Sequence, residues 1–166
     1  VEFVDEFGFI QLRKTTQRKY VSIDPARLHK DDQILGLEQT EYHAPVRAFV
    51  ESVETAVEKS ETVDQLLGVL VFGSVARGEA DRKSDIDVFV LVDGDRTTAR
   101  RLVSNVASDL GDERFDGNRY AFEPFVETAE SALRAGEKLR EIFDEGVTVY
   151  GTDEVQRLRT TVMSDE

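Results

Sequence analysis

Apolar and polar positions alternate along the chain in two rhythms, a period of two and a period near that of a helix. Phe3 to Ile23 reads as strand, turn, strand: FGFIQLRK and RKYVSID alternate around the polar turn Thr15-Thr16-Gln17. Asp24-Pro25 ends this hairpin, because the residue before a proline is pushed into extended backbone. Between Ala26 and His43 the rhythm fades. PARLHKDD allows one helical turn with Pro25 at its first position, and QILGLEQTEYH reads as an extended connector. Pro45 then opens a helix over Val46 to Lys59, in which Val46, Phe49, Val50, Val53 and Val57 recur at helical spacing.

Leu66 to Phe72 is a continuous apolar run, the pattern of a strand covered on both faces, and Asp85 to Val92 is a second. Asp93-Gly94 breaks the second run. Thr97 to Leu110 is helical, with Ala99, Leu102, Val103, Val106 and Leu110 on one face and Gly111 as its stop. Arg119 to Val126 predicts a third strand. Pro124 inside it cannot donate to a ladder, which places it at an edge or at the end of pairing. Glu130 to Phe143 predicts one helix with Thr128 as cap. Ser131 stands where a capping box prefers Glu or Gln, so the box reads as incomplete. Gly146 ends that helix, VTVYG is a short strand, and Thr152 to Val162 is a last amphipathic helix.

From Pro45 onward helices and strands alternate, so the class is α/β (α+β): a small mixed central sheet flanked by helices and preceded by a β-hairpin. The division is a basic hairpin over residues 1–25, a connector over 26–44 and a main domain over 45–162. The chain opens on Val1 rather than Met, as a processed product or a fragment would.

Charge changes this picture more than any other bulk property. The formal net charge is −13, the acidic residues are spread along the chain, and Arg outnumbers Lys. Such a surface favours solubility and repels itself in the compact state, which reads as salt adaptation. It opposes nucleic acid at low salt, an objection that weakens in concentrated salt where charges are screened within a few ångströms. The absence of cysteine excludes disulfides and thiolate metal sites and fits a reducing, cytoplasmic setting. No apolar run approaches the ~20 residues of a membrane span, and no membrane partner is expected.

The chemistry gathers in VFGSVARGEADRKSDIDVFVLV, Val71 to Val92. Gly73 ends a strand where close backbone approach or positive φ is allowed. The small residues after it can start a short helix whose free N–H groups attract anions. Ser74 adds a hydroxyl and Arg77 a forked cation. Strand parity puts Asp85 and Asp87 on one face, with Ile86 and Val88 turned into a core. Paired carboxylates repel unless a cation lies between them, and hard oxygen donors beside a phosphate site suit Mg²⁺. Other motifs are missing: there is no Walker lysine, no G-x-G-x-x-G and no complete calcium loop. His29 and His43 have no partner at metal spacing.

Gly73, Ser74, Arg77, Gly78, Ser84, Asp85 and Asp87 together resemble the signature of the DNA polymerase beta nucleotidyltransferase superfamily, and most closely its minimal nucleotidyltransferase branch. The likeness runs from about Ala44 to Val162 and includes the closing IFDEGVTVYG. It implies that Gly73 and Ser74 hold a triphosphate with Arg77 in contact, and that Asp85 and Asp87 bind two Mg²⁺ ions. It also implies a third carboxylate on a later strand that helps to activate an acceptor hydroxyl. That position falls at Glu123, where the family favours Asp; Pro124 follows directly, and Glu127 is the fallback. The implied reaction moves a nucleoside monophosphate from an NTP, most simply ATP, to a hydroxyl of a protein or small molecule. The alternative is an antitoxin-like or transcription-regulatory module that binds nucleotide or a helical partner protein with little catalysis. The hairpin, with Arg13, Lys14, Arg18 and Lys19, resembles the wing of a winged helix and implies a possible DNA contact.

Overall fold

The computed structural model describes residues 10–14, 19–23 and 33–164. Strands β1 (Ile10–Lys14) and β2 (Lys19–Ile23) pair antiparallel from Ile10↔Ile23 to Lys14↔Lys19, the hairpin that the alternation predicts. The basic side chains proposed to meet DNA, and the helical turn at Pro25, lie outside the described residues.

The main domain is a sheet covered on both faces. Its elements are α1 (His43–Glu58), β3 (Val63–Phe72), the single turn α2 (Gly73–Ala76), β4 (Ile86–Gly94), α3 (Arg96–Gly111), β5 (Phe122–Thr128), α4 (Ala129–Ala132), α5 (Glu137–Glu145), β6 (Val147–Gly151) and α6 (Asp153–Ser164). The strands lie in the order β5-β4-β3-β6. β3 pairs antiparallel with β4 and β6, while β4 and β5 run parallel, joined through α3. The sheet is thus mixed, as the sequence predicts. β3 and β4 are its inner strands, which is why they read as unbroken apolar runs.

Parity along β4 sorts the two cores. Ile86, Val88, Val90 and Val92 join α1 and α3 residues such as Val46, Phe49, Val53 and Val103 on one face. Phe89 and Leu91 turn the other way, to Leu139, Ile142 and Phe143 of α5 and Val155 and Leu158 of α6. Ring pairs fasten both layers: Phe49 stacks on Phe122 at 4.8 Å, and Phe89 meets Phe143 edge-on at 6.2 Å.

Three expectations are corrected. The stretch read as an extended connector packs onto the domain from residue 33 onward, because Ile34, Leu37 and Tyr42 are buried to 3 % exposure or less. The helix expected over Glu130 to Phe143 is broken: α4 passes into a 3-10 turn (Leu133–Ala135), and α5 starts afresh after Gly136. Gly136 sits at φ 55°, ψ −123°, a conformation that costs a side chain dearly but not glycine. The capping box is complete after all: Ser131 Oγ accepts from Thr128 N at 2.9 Å, and Thr128 Oγ1 accepts from Ser131 N at 3.1 Å. Pro124 agrees with its prediction, since β5 is an edge strand whose register with β4 runs on through Val88↔Pro124.

Gly68 marks where α6 crosses β3. A Cβ there would run into Val155 Cγ2. Gly68→Ala is expected to lower stability by about 1–3 kcal/mol through overpacking. Adding Val155→Ala should recover part of that loss, so that urea unfolding of the pair is non-additive.

Candidate functional site

The two halves of the Val71–Val92 stretch meet because β3 and β4 are antiparallel neighbours. Phe72, the last residue of β3, pairs with Asp87 near the start of β4. The chain then turns at Gly73, with φ +71°, and its backbone lies directly against the Asp87 carboxylate. Any side chain at 73 would collide with that carboxylate as well as strain the backbone. Ser74 follows, half-buried, in the one-turn helix α2, and Glu79 N closes the turn on Ser74 O at 2.9 Å.

The loop between the halves is fastened from outside. Gln39 accepts from Ala80 N at 3.0 Å and donates to Ala80 O at 2.9 Å, and the Tyr42 hydroxyl donates to Asp81 O at 3.2 Å. Ser84 Oγ accepts from Asp81 N at 2.9 Å, which turns the chain into Asp85. Gln39 and Tyr42 are absent from the sequence-derived site because the stretch that carries them has no periodic signal and its partners lie about forty positions away.

The carboxylates cluster by register. Asp87 pairs with Glu123 across the parallel β4–β5 ladder, so both side chains leave the same face of the sheet. Asp85 precedes β4 by one residue and is exposed, as is Glu123, whereas Asp87 is half-buried. Burial pushes the Asp87 carboxyl above its ordinary range. Repulsion from Glu123 and then from Asp85 adds to this, while Lys138 and Arg77 oppose it. Among the described residues no three metal-ligating side chains stand together at ligating distance. The donor set nevertheless fits a divalent cation in kind: hard oxygens with mutually unfavourable charge, two of them on exposed side chains.

Glu127, the alternative to Glu123, has other work. It lies on the same face of β5 but is only 4 % exposed. Arg96 Nη2 holds its Oε1 at 2.8 Å, and the Ser131 hydroxyl donates to its Oε2. A buried charge so paired is structural.

Arg77 is not free for an anion as it stands. It donates to Glu79 at 3.2 Å and to both oxygens of Glu145, at 3.2 and 3.0 Å. These bonds, Glu145 first, raise the guanidinium further above its already high value. Glu145 Oε1 also accepts from Gly73 N at 3.1 Å. The carboxylate at the end of α5 therefore occupies Gly73 N–H and Arg77, two of the three groups that the sequence assigns to a phosphate, and not Ser74. Glu145 went unnoticed in the sequence because it lies 72 positions from Gly73.

The model of a family described as nucleotidyltransferase domain matches residues 50–151. A solved toxin-antitoxin with AMP-PNP has 20% identity and TM-score 0.45, covering 69% of this chain and 83% of that chain. A mutant of the toxin-antitoxin MntA-HpeT has 19% identity and TM-score 0.45 over the same shares, 69% and 83%. A Sulfolobus solfataricus protein described as a nucleotidyltransferase has 22% identity and TM-score 0.38, covering 69% of this chain and 89% of that one. Curated proteins give no match.

Removing the carboxylate that fills the Gly73–Arg77 donors should strengthen triphosphate binding. Glu145→Gln and Glu145→Ala are expected to tighten the Kd for ATP about tenfold by calorimetry, the ~1.4 kcal/mol scale of one charge-assisted hydrogen bond released from competition. Weaker binding in both variants would instead make Glu145 a support of the cradle.

Proposed function

The chain belongs to the nucleotidyltransferase domain family, and from that premise we propose that it moves a nucleoside monophosphate from an NTP, ATP first among them, to a hydroxyl of a protein or small molecule. The observation that supports the reading is the register Phe72–Asp87–Glu123, in which Asp87 and Glu123 share a sheet face and the Gly73 turn lies against Asp87.

In this reading Gly73 N–H, Ser74 and Arg77 hold the triphosphate once Glu145 has yielded its bonds. Asp85, Asp87 and Glu123 would hold two Mg²⁺ ions, which when bound neutralise phosphate charge and orient the α-phosphorus. Glu123 takes the proton of the acceptor hydroxyl. The acceptor oxygen bonds to the α-phosphorus, the bond from that phosphorus to the α–β bridging oxygen breaks, and pyrophosphate leaves. Lys138 lies near enough to Asp87 to offset its charge and balances the site from the α5 side.

The alternative, a module that binds nucleotide or a partner protein without transfer, draws on one observation: Glu145 already fills the anion donors. One assay separates the two. Each NTP labelled at the α-phosphate is incubated with Mg²⁺, at low and high salt, with hydroxyl acceptors. Transfer supports catalysis; nucleotide binding that ignores Asp85→Asn and Asp87→Asn refutes the site.

Asp87→Asn is expected to reduce transfer by about a thousandfold, the several kcal/mol of a lost charge-stabilising site. The same change should raise the melting temperature of the metal-free protein at neutral pH. The Asp87 carboxyl is raised in the folded state, so its charge opposes folding once pH exceeds the ordinary carboxylate range. Below that range the group is protonated folded and unfolded, and the gain should vanish. Mg²⁺ should raise the melting temperature of the parent protein and not of Asp87→Asn. Glu123→Gln should slow transfer while leaving ATP affinity within about twofold.

A further inference from the structure

Along the sheet face from the carboxylates lies a cleft that the reading above does not use. Its volume is about 710 Å³, the size of a small-molecule site. Arg96 and Arg100 of α3, Arg134 of the 3-10 turn and Lys138 of α5 line it, with Phe125 and Glu127 of β5. In a chain of net charge −13, four cations around one cleft are a local reversal of sign.

The counter-charges there are either committed or loosely held. Asp95 caps α3 through Thr98 N at 2.8 Å. Glu127 is buried against Arg96 and the Ser131 hydroxyl, and Arg100 reaches it only at 4.0 Å. Arg134 meets Glu130 at 3.5 Å and Lys138 meets Glu141 at 3.7 Å, both pairs well exposed, and such pairs exchange readily for another anion. The buried Nε of Arg96 has no hydrogen-bond partner. Guanidinium forks match phosphate oxygens two at a time.

Position ties the cleft to the carboxylates. Glu127 lies four residues beyond Glu123 on one face of β5, about 13 Å at strand rise. Phe125 lies between them on that face, and Lys138 both lines the cleft and bears on the charge of Asp87. A molecule lying along β5 spans the two.

We propose that this cleft is an oxyanion site that seats the phosphate of a small phosphorylated alcohol, the acceptor of the transfer. Its role toward the acceptor rests on the nucleotidyl-transfer reading; its anion binding does not. The acceptor's free hydroxyl oxygen bonds to the α-phosphorus of the NTP, pyrophosphate departs, the proton passes to Glu123, and the phosphate in the cleft stays unreacted.

The test uses the full chain and the exposed pair Arg100→Gln/Arg134→Gln, with thermal melting to verify the fold. Inorganic phosphate should bind the parent protein by calorimetry and bind the double variant at least tenfold more weakly, while ATP affinity is unchanged. Labelled nucleotide should pass to a polyol monophosphate at least tenfold faster than to the same polyol without phosphate, and the double variant should lose that preference. No phosphate binding, equal binding by the double variant, or displacement of phosphate by ATP would overturn the site. Equal transfer to both polyols would overturn its role toward the acceptor. Phosphate binding that depends on the arginines, in a protein that binds no NTP, would refute the transfer reading and leave the anion site standing.

Discussion

A half-buried carboxylate with two more carboxylates acting on it is a poor arrangement for a folded protein on its own, and the structure around Asp87 is organised by that fact. Burial and the charges of Glu123 and Asp85 all oppose its ionisation. The position is nevertheless imposed by pairing: Phe72 stands on one side of Asp87 and Glu123 on the other, in ladders continuous with the doubly covered centre of the sheet. The register cannot slip by one residue without turning Ile86, Val88 and Val90 out of the α1–α3 core. Packing energy spread over many apolar side chains thus holds Asp87 opposite Glu123 at one end of the sheet, with Asp85 two residues before Asp87. Stability is given up locally at Asp87, where burial and like charges both disfavour the ionised carboxylate.

The same surplus of charge explains the cations and the internal anion nearby. Lys138 of α5 lies with its Nζ 4.9 Å from the centre of the Phe72 ring and offsets Asp87. Arg77, just after α2, also offsets Asp87. Arg77 and the Gly73 N–H would form a strong anion cradle, and Glu145 fills it from the end of α5. Glu145 is the last residue of α5, a helix that starts afresh after Gly136. A carboxylate in a cradle is easier to displace than one buried in a core. The Glu145 side chain keeps 21% of its surface exposed, which favours exchange with a phosphate.

How far the sequence reveals this depends on the range of each interaction. β3 and β4 are legible because strands buried on both faces must be apolar throughout, and Gly73, Asp85 and Asp87 are legible because a tight turn and strand parity act over one or two residues. Glu123 could be placed on the third strand, but its alignment with Asp87 is set by the parallel ladder, which no local pattern encodes. Gln39, Tyr42 and Glu145 were missed for the same reason: their partners are 41, 39 and 72 positions away. The Thr128–Ser131 box is not legible because capping preferences are averages over many helices and favour Glu or Gln at that position. The role of Glu127 is not legible because alternation fixes its face but not the arginines that meet it there.

Those arginines complete the electrostatic design of the face. β5 presents Glu123 at one end and buried Glu127 at the other, with Phe125 between. Two like charges on one strand would ordinarily mark two similar sites, yet their surroundings are opposite. Around Glu123, the carboxylates of Asp85, Asp87 and Glu123 face the cations Lys138 and Arg77, which leaves the locality with a net negative charge. Around Glu127, Arg96 and Arg100 more than neutralise the carboxylate, so the locality draws anions. With a net charge of −13 the whole molecule repels free anions in dilute salt, so any anion that binds must be held by local fields that overcome the global one. Screening acts first on the distant charges and last on the contacts, within a few ångströms. Rising salt therefore lifts the global repulsion before it weakens contacts at the arginines, so a strongly acidic surface does not by itself exclude an anion there.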